Sequence, residues 1–238
     1  MISFLRKHTT VYRIARRSYC GFMSLIGPLF GTRFEEQRWS SRSSSYASGS
    51  ITLNHPHRGF LIKKIANVSQ IKSLLEVGCG DGPNLYLLSQ KFPEAELFGI
   101  DINPWSVENG NEWFKREGVL NIKLSVGKAD ELETFPDNSF DIVFTDAVLM
   151  YVGPDKIRKV VKELVRIARR DLIFVEWHSF NSQNSIGVYE RHWKRNYEVL
   201  LKELIPQNNV HVFKLPDGGG FKDELWTKYG ALIEAKLE

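Results

Sequence analysis

The fold is decided by residues 73–103, which read SLLEVGCGDGPNLYLLSQKFPEAELFGIDIN. The stretch opens with a short apolar run, continues with glycines at three alternate positions, and then spaces its leucines as a helix does. A second apolar run ends in an acid at Asp101. The order strand, glycine turn, helix, strand predicts half of a doubly wound α/β sheet.

The glycine turn and the acid that follows it indicate the kind of ligand. Gly78, Gly80 and Gly82 allow the backbone to approach a ligand closely and to adopt conformations that side chains disfavour. Ligands of such sheets lie beyond the carboxyl ends of the strands, where this turn is located. Asp101 ends the second strand at the same edge, and a carboxylate there can accept two hydrogen bonds from a ribose diol. We therefore predict a nucleoside ligand.

The glycine spacing distinguishes between nucleoside cofactors. A dinucleotide fingerprint requires G-x-G-x-x-G, but Pro83 stands where the third glycine belongs, which disfavours an NAD-dependent enzyme. No phosphate-binding lysine follows, so a P-loop is excluded. Glu76, the three alternating glycines and Asp101 together resemble the first two motifs of class I S-adenosylmethionine-dependent methyltransferases. The resemblance covers roughly residues 70–180.

The resemblance implies a fold, a cofactor and a set of cofactor contacts. The implied fold is a doubly wound, mostly parallel seven-stranded sheet with six forward strands and a final reversed one. The implied cofactor is S-adenosylmethionine, which leaves as S-adenosylhomocysteine. The residues assigned to it are Glu76, Gly78, Gly80, Gly82, Asp101, Ile102, Asp130 and Asp146.

Two of these acids have more than one interpretation. Asp130 matches the family's acid that contacts the adenine amino group, but aspartate also suits a helix cap. Asp146 leaves the fourth strand toward the methionine end of the cofactor or toward the acceptor. A carboxylate in that position can accept from an ammonium group.

Methyl transfer to a hydroxyl is helped by a group that removes the proton, and histidine suits this role near neutral pH. We predict that His178, at the carboxyl end of the fifth strand, is this base. Glu176 or Asp146 can replace it if burial raises the pKa of the carboxyl group. Tyr151 is also assigned to the catalytic site. Many members of the family that the chain resembles carry a histidine where this chain has Met150 or Tyr151, and this departure leaves the chemistry on the acceptor side open.

The composition is that of a globular domain with extensions, with 238 residues, 42% hydrophobic and 25% charged. We divide it into an N-terminal segment, 1–54, and a methyltransferase domain, 55–238. The two cysteines, Cys20 and Cys79, form no disulfide framework or metal pattern, which favours a reducing cytoplasmic compartment and no metal. Residues 1–34 hold six of the 32 basic residues and no acid, which leaves 26 basic against 28 acidic residues elsewhere. This balance argues against a nucleic-acid partner.

The N-terminal segment has helical spacing over residues 1–30, and we predict that Gly27-Pro28 ends the helix. Its apolar part is too short and too charged to span a bilayer. Three interpretations stay open: a helix on an anionic membrane surface, a mitochondrial transit peptide, and a helix packed on the domain. The serine-rich segment 35–54 is predicted to be a mobile lid, closed by Trp39 and Tyr46, or a linker.

The remaining pattern completes the predicted domain. His55-Pro56-His57 opens a helix to about Asn67, and we expect both histidines at the surface because residues two apart do not share a helix face. Two further helices are predicted at 157–170 and 187–204, and the last two strands are predicted at 209–215 and 230–237.

The predicted reaction is O-methylation of a small-molecule hydroxyl or of a sugar in a polysaccharide or glycolipid. The basic helix, the Trp-Ser-rich segment and the Glu176-Trp-His sequence are similar to methyltransferases of glycan assembly. A lipid quinone is a further possible acceptor. N-methyltransferases of DNA bases or glutamine amides carry N/D-P-P-Y/F after the fourth strand, but this chain has Thr145-Asp-Ala-Val there. This difference disfavours those two reactions. N-methylation of a small molecule or protein, and a non-catalytic partner subunit, are the alternatives.

Overall fold

The computed structural model describes residues 10–43, 53–205 and 209–237. The strands are β1 Ser73–Val77, β2 Glu96–Asp101, β3 Ile122–Val126, β4 Phe140–Asp146, β5 Ala168–Trp177, β6 Val188–Glu190, β7 His192–Lys194, β8 Val210–Lys214 and β9 Gly230–Lys236. Seven of them form one sheet in the order β3-β2-β1-β4-β5-β9-β8. Only β9 is reversed in this sheet, since it pairs antiparallel with β5 and β8. This confirms the predicted sheet.

Helices cover the sheet on both sides. The α-helices of the described part are α1 Thr10–Ser40, α2 Pro56–Ala66, α3 Pro83–Ser89, α4 Pro104–Glu117, α5 Ile157–Ile167, α6 Tyr197–Lys202 and α7 Glu224–Tyr229. None of the helices in this part of the chain is long and apolar enough to cross a membrane. The lid residue Tyr46 lies outside the described residues.

The core has two layers because successive residues of a strand point to opposite faces of a sheet. Leu74 of β1 belongs to the apolar cluster on one face, whereas Leu75 belongs to the cluster on the other. Ile142 and Val143 of β4 divide in the same way. Burial on both faces explains why the central strands read as continuous apolar runs rather than as alternating ones.

The helix predicted over 187–204 is wrong. A hairpin of β6 and β7 occupies its first half, and only Tyr197–Lys202 is helical. The burial pattern has a period of two, since Tyr189 and Trp193 are buried while their strand neighbours are less so. Trp193 packs with Met23 of α1, so contact with a distant helix stabilises the hairpin.

Helix α1 does not end at Gly27-Pro28 but continues to Ser40, with Pro28 in its interior. The reason is tertiary packing. A Cβ atom on Gly27 would lie 2.1 Å from the Trp193 indole, and one on Gly31 would lie 2.9 Å from it. The two glycines therefore let the helix pass directly over Trp193, and this contact offsets the hydrogen bond that a proline removes.

The boundary between α5 and β5 also differs from the prediction. The helix ends at Ile167 rather than continuing to Arg170, and β5 begins at Ala168, which pairs with Phe140. Arg169 lies on the strand and forms an ion pair with Asp141. Pairing between β4 and β5 therefore places Arg169 and Arg170 in a strand, although the run of basic residues was assigned to the helix.

Candidate functional site

A cavity of about 650 Å³ opens at the carboxyl ends of β1, β2 and β4. The glycine turn, the end of β2 and the exit from β4 line it, and the C-terminal part of α1 adds Glu36 and Trp39. The sheet topology dictates this position, because β1 and β4 are neighbours while the chain between them crosses to the other side. The cavity is at the place that the sequence predicts for the ligand.

The three glycines of the turn serve different purposes, although all have positive φ. A Cβ on Gly78 would lie 2.3 Å from Val148, and one on Gly82 would lie 2.6 Å from Phe114, so both permit close packing. A Cβ on Gly80 would meet nothing within 4 Å. Since Gly80 also lines the cavity, its missing side chain keeps ligand space open.

Asp101 connects the turn to the start of α4. Its Oδ2 accepts from the Gly80 N–H at 2.8 Å, and its Oδ1 accepts from the Asn103 N–H at 2.8 Å. Burial raises the pKa of Asp101, while these two backbone bonds oppose the rise. Each carboxylate oxygen has two lone pairs, so both keep a site for a ribose hydroxyl.

Replacing Asp101 with alanine is expected to weaken S-adenosylhomocysteine binding by about 1–3 kcal/mol, because two ribose hydrogen bonds are lost. Isothermal titration calorimetry measures the change. Glu117→Ala removes an exposed acid at the end of α4 and serves as the control. Equal affinities for the two variants would contradict the assignment of Asp101.

Asp130 lies on the cavity wall, where Lys156 bridges it to Glu36. It is buried, and the Lys156 Nζ atom lies 2.9 Å from its Oδ2 and 2.5 Å from Glu36 Oε1. No helix begins at Asp130, so the structure does not support the helix-cap interpretation. The pair with Lys156 links the predicted adenine contact to α1 through Glu36.

A network of polar side chains occupies the other end of the cavity. Asn84 Nδ2 donates to Glu76 Oε1 at 2.7 Å and to Asp146 Oδ2 at 3.0 Å. His57 Nε2 lies 2.7 Å from the same Asp146 oxygen, and Arg58 Nη1 donates to Asn84 Oδ1 at 2.7 Å. Burial opposes ionisation of Asp146, but the His57 hydrogen bond and the nearby positive charges lower its pKa below the ordinary value.

Two buried oxygens of this network have no hydrogen-bond partner among the described residues: Glu76 Oε2 and Asp146 Oδ1. Burial raises the pKa of Glu76 well above its ordinary value, although the Asn84 hydrogen bond opposes this. Buried polar atoms are normally paired. The unpaired oxygens therefore fit a ligand that brings hydrogen-bond donors, such as the ammonium group of S-adenosylmethionine.

The expectation that His55 and His57 lie at the surface is wrong for His57, which is only 5% exposed and lines the cavity. The two rings are in contact, with centroids 4.4 Å apart, and their Nδ1 atoms are hydrogen-bonded. His55 precedes the helix in an extended conformation, so the helical-face rule does not apply to the pair. The signal in the sequence that could have placed His57 in the site is its position in the first turn of the helix that precedes β1.

The predicted base His178 is not among the residues that line this cavity. It is 2% exposed, and its Nδ1 accepts from the Tyr197 N–H at 3.3 Å. Burial lowers the pKa of His178 to about 4. This placement argues against a catalytic role, because a substrate in the cavity does not reach the ring.

Glu176 is fully buried and does not line the cavity either. Its Oε1 accepts from Thr145 Oγ1 and from the N–H groups of Val148 and Leu149, and its Oε2 accepts from the Met150 N–H. Burial raises the pKa of Glu176 to about 7, although these hydrogen bonds oppose the rise. Glu176 thus holds the loop after β4, whereas Tyr151 from that loop does line the cavity.

Comparison with known proteins finds methyltransferases. Residues 74–171 match the family model described as methyltransferase domain. A probable chloroplastic tocopherol O-methyltransferase of Oryza sativa subsp. japonica is 37% identical over 117 residues, covering 48% of this chain and 31% of that protein. The sterol 24-C-methyltransferase erg6 of Aspergillus fumigatus is 31% identical over 152 residues, covering 62% and 37%.

The solved structure of a SAM-dependent methyltransferase from Aquifex aeolicus has the same fold, with a TM-score of 0.57 at 18% identity, covering 83% of this chain and 100% of that one. Residues 74–171 thus match a methyltransferase domain, and the chain has the class I methyltransferase fold, for which S-adenosylmethionine is the supported cofactor. The chain spans about a third of the length of the two curated relatives, 31% and 37%.

Proposed function

We propose that the protein transfers the methyl group of S-adenosylmethionine to a hydroxyl oxygen of a small molecule. The observation that carries this proposal is the hydrogen bond between His57 and Asp146 on the cavity wall, with His55 behind it. A hydroxyl is a weak nucleophile until its proton is removed, and a histidine held by a carboxylate is suited to remove it.

The cofactor residues divide between the two ends of the cavity. Asp101 and Ile102 bind the ribose side, and Asp130 binds the adenine amino group. At the other end, Asp146 Oδ1 accepts from the ammonium group, and Arg58 provides positive charge for the carboxylate. The cofactor supplies an activated methyl group, so these residues mainly hold it in line with the acceptor.

The direction of the hydrogen bonds assigns the proton acceptor. A carboxylate can only accept, so His57 Nε2 donates to Asp146, and His57 Nδ1 is left as an acceptor facing His55. Burial, followed by the charges of His57 and Arg58, lowers the pKa of His55 below its ordinary value. His55 is therefore neutral at neutral pH. His57 lines the cavity and His55 does not, so the proton of the acceptor hydroxyl enters at His57 Nδ1 and is shared with His55 Nδ1.

The cavity wall favours an acceptor with an apolar body. Trp39, Tyr151 and Phe221 add aromatic surface to it, and the Trp39 and Tyr151 rings meet edge to face at 4.8 Å. The matched relatives are named for tocopherol and sterol, which are apolar small molecules. Aromatic rings also stack on sugars, so a glycolipid hydroxyl stays within the proposal, and so does contact with a membrane surface through residues 1–30.

The test is conversion of S-adenosylmethionine to S-adenosylhomocysteine by the purified protein with separate acceptor panels. The panels are prenylated phenols and quinols, glycolipids, soluble oligosaccharides, and matched amines. We expect turnover with a hydroxyl acceptor that carries an apolar group, and none when that hydroxyl is blocked as a methyl ether. Turnover with the amines alone would replace O-methylation by N-methylation, and cofactor binding without any turnover would favour the non-catalytic subunit.

A further inference from the structure

We propose that the outer face of α1 docks on an anionic membrane surface. This docking face consists of Ile14, Phe22, Leu25 and Leu29, which are 61%, 56%, 79% and 72% exposed. Their spacings of eight, three and four residues place them on one side of the helix. Single exposed apolar residues are ordinary, but a continuous stripe on one helix face marks an interaction site.

The opposite side of α1 is fixed to the domain, so the docking face cannot turn inward. Met23 packs against the β6–β7 hairpin, and Gly27 lies against Trp193. Three residues after Leu29, Thr32 Oγ1 donates to Asp155 Oδ1 at 2.7 Å and accepts from the Gly153 N–H at 2.8 Å, so the exposed stripe ends at Leu29. These contacts hold the helix with its apolar stripe facing outward.

The charges beside the stripe determine the kind of partner. Arg17 follows Ile14 by three residues and Arg33 follows Leu29 by four, so both border the stripe, and both are exposed. Residues 10–34 contain no acid. An apolar helix face bordered by arginines binds in the headgroup region of a membrane, where anionic lipids attract the arginines.

The same charges disfavour a second copy of the chain as the occupant. A two-fold dimer places the same surface of both copies in contact. Antiparallel packing of two docking faces would bring Arg17 of one copy toward Arg33 of the other, with no acid on this stretch to offset the repulsion. A membrane that contains anionic lipid has the complementary charge.

The docking face lies close to the cavity along one helix. Leu29 and Trp39 are ten residues apart, or about 15 Å along the axis, and Trp39 lines the cavity. A membrane under the docking face would therefore present a lipid-borne acceptor near the site. Only this last step rests on the proposed function, because docking itself requires no methyl transfer.

Vesicle flotation tests the proposal, with phosphatidylcholine vesicles that contain or lack phosphatidylglycerol. We expect the wild-type chain to float with the anionic vesicles, and the double variant Leu25→Ser, Leu29→Ser to lower the partition coefficient roughly tenfold or more. Leu120→Ser is the matched control, since Leu120 is 93% exposed but lies away from α1. Arg17→Glu, Arg33→Glu should remove the preference for anionic vesicles, and Arg116→Glu should not.

Thermal stabilisation by S-adenosylhomocysteine, measured on every variant, shows that each retains the folded cofactor site independently of docking and of acceptor choice. Absence of flotation by wild-type protein that passes this check overturns the proposal. Equal flotation with both kinds of vesicle overturns its anionic part. A concentration-dependent dimer that Leu25→Ser, Leu29→Ser abolishes, without vesicle binding, assigns the face to a second copy instead.

Discussion

Replacing Gly80 with valine is expected to lower the affinity for S-adenosylhomocysteine by more than about 100-fold, or about 2.7 kcal/mol. A Cβ on Gly80 points into open space in the cavity, so the valine side chain takes the place of the cofactor without colliding with the protein. The backbone there has a φ of +57°, which costs a β-branched residue about 1–3 kcal/mol in stability. Calorimetry and urea unfolding separate the two effects.

Gly118→Val is the matched control for this experiment. Gly118 ends α4 with a φ of +68°, and a Cβ there also meets nothing within 4 Å, but it does not line the cavity. Both variants should therefore lose similar stability, while only Gly80→Val loses cofactor binding. A similar loss of affinity in both variants would show that backbone strain, not occupied space, is the cause.

Replacing His57 with glutamine is expected to lower kcat by about 10²–10⁴-fold, the range for loss of a general base. Glutamine can still donate to Asp146, so the affinity for S-adenosylhomocysteine should change little. His211→Gln, at an exposed position on β8, is the matched control. An unchanged kcat at saturating acceptor would remove the histidine pair from the mechanism.

The pH dependence gives a second measure of the same pair. Because the pKa of His55 lies below its ordinary value of 6.5, His55 stays neutral to lower pH than a free histidine does. The activity should therefore fall on the acid side only below about pH 6.5, as the imidazole becomes protonated and stops accepting protons. An acid limb well above that value would indicate a different base.

The sequence alone determined the sheet, the glycine turn and the position of the cavity. These features depend on residues that are close along the chain. The alternate glycines, the apolar runs around them and Asp101 all lie within residues 73–103, so their conformations follow from local sterics and hydrophobic spacing. The single reversed strand at the end of the sheet then follows from the family that this stretch resembles, and in the structure this strand is β9.

The tertiary structure alone decided which side chains meet at the acceptor end. His57 and Asp146 are 89 residues apart, and no local pattern predicts that contact. His178 had a suitable residue type and strand end, but its Nδ1 accepts from the Tyr197 N–H and the residue does not line the cavity. Helix α1 continues through Pro28 because Trp193, far along the chain, packs against it. Local propensity sets which elements form, whereas burial against distant residues sets where they end and which side chains reach the site.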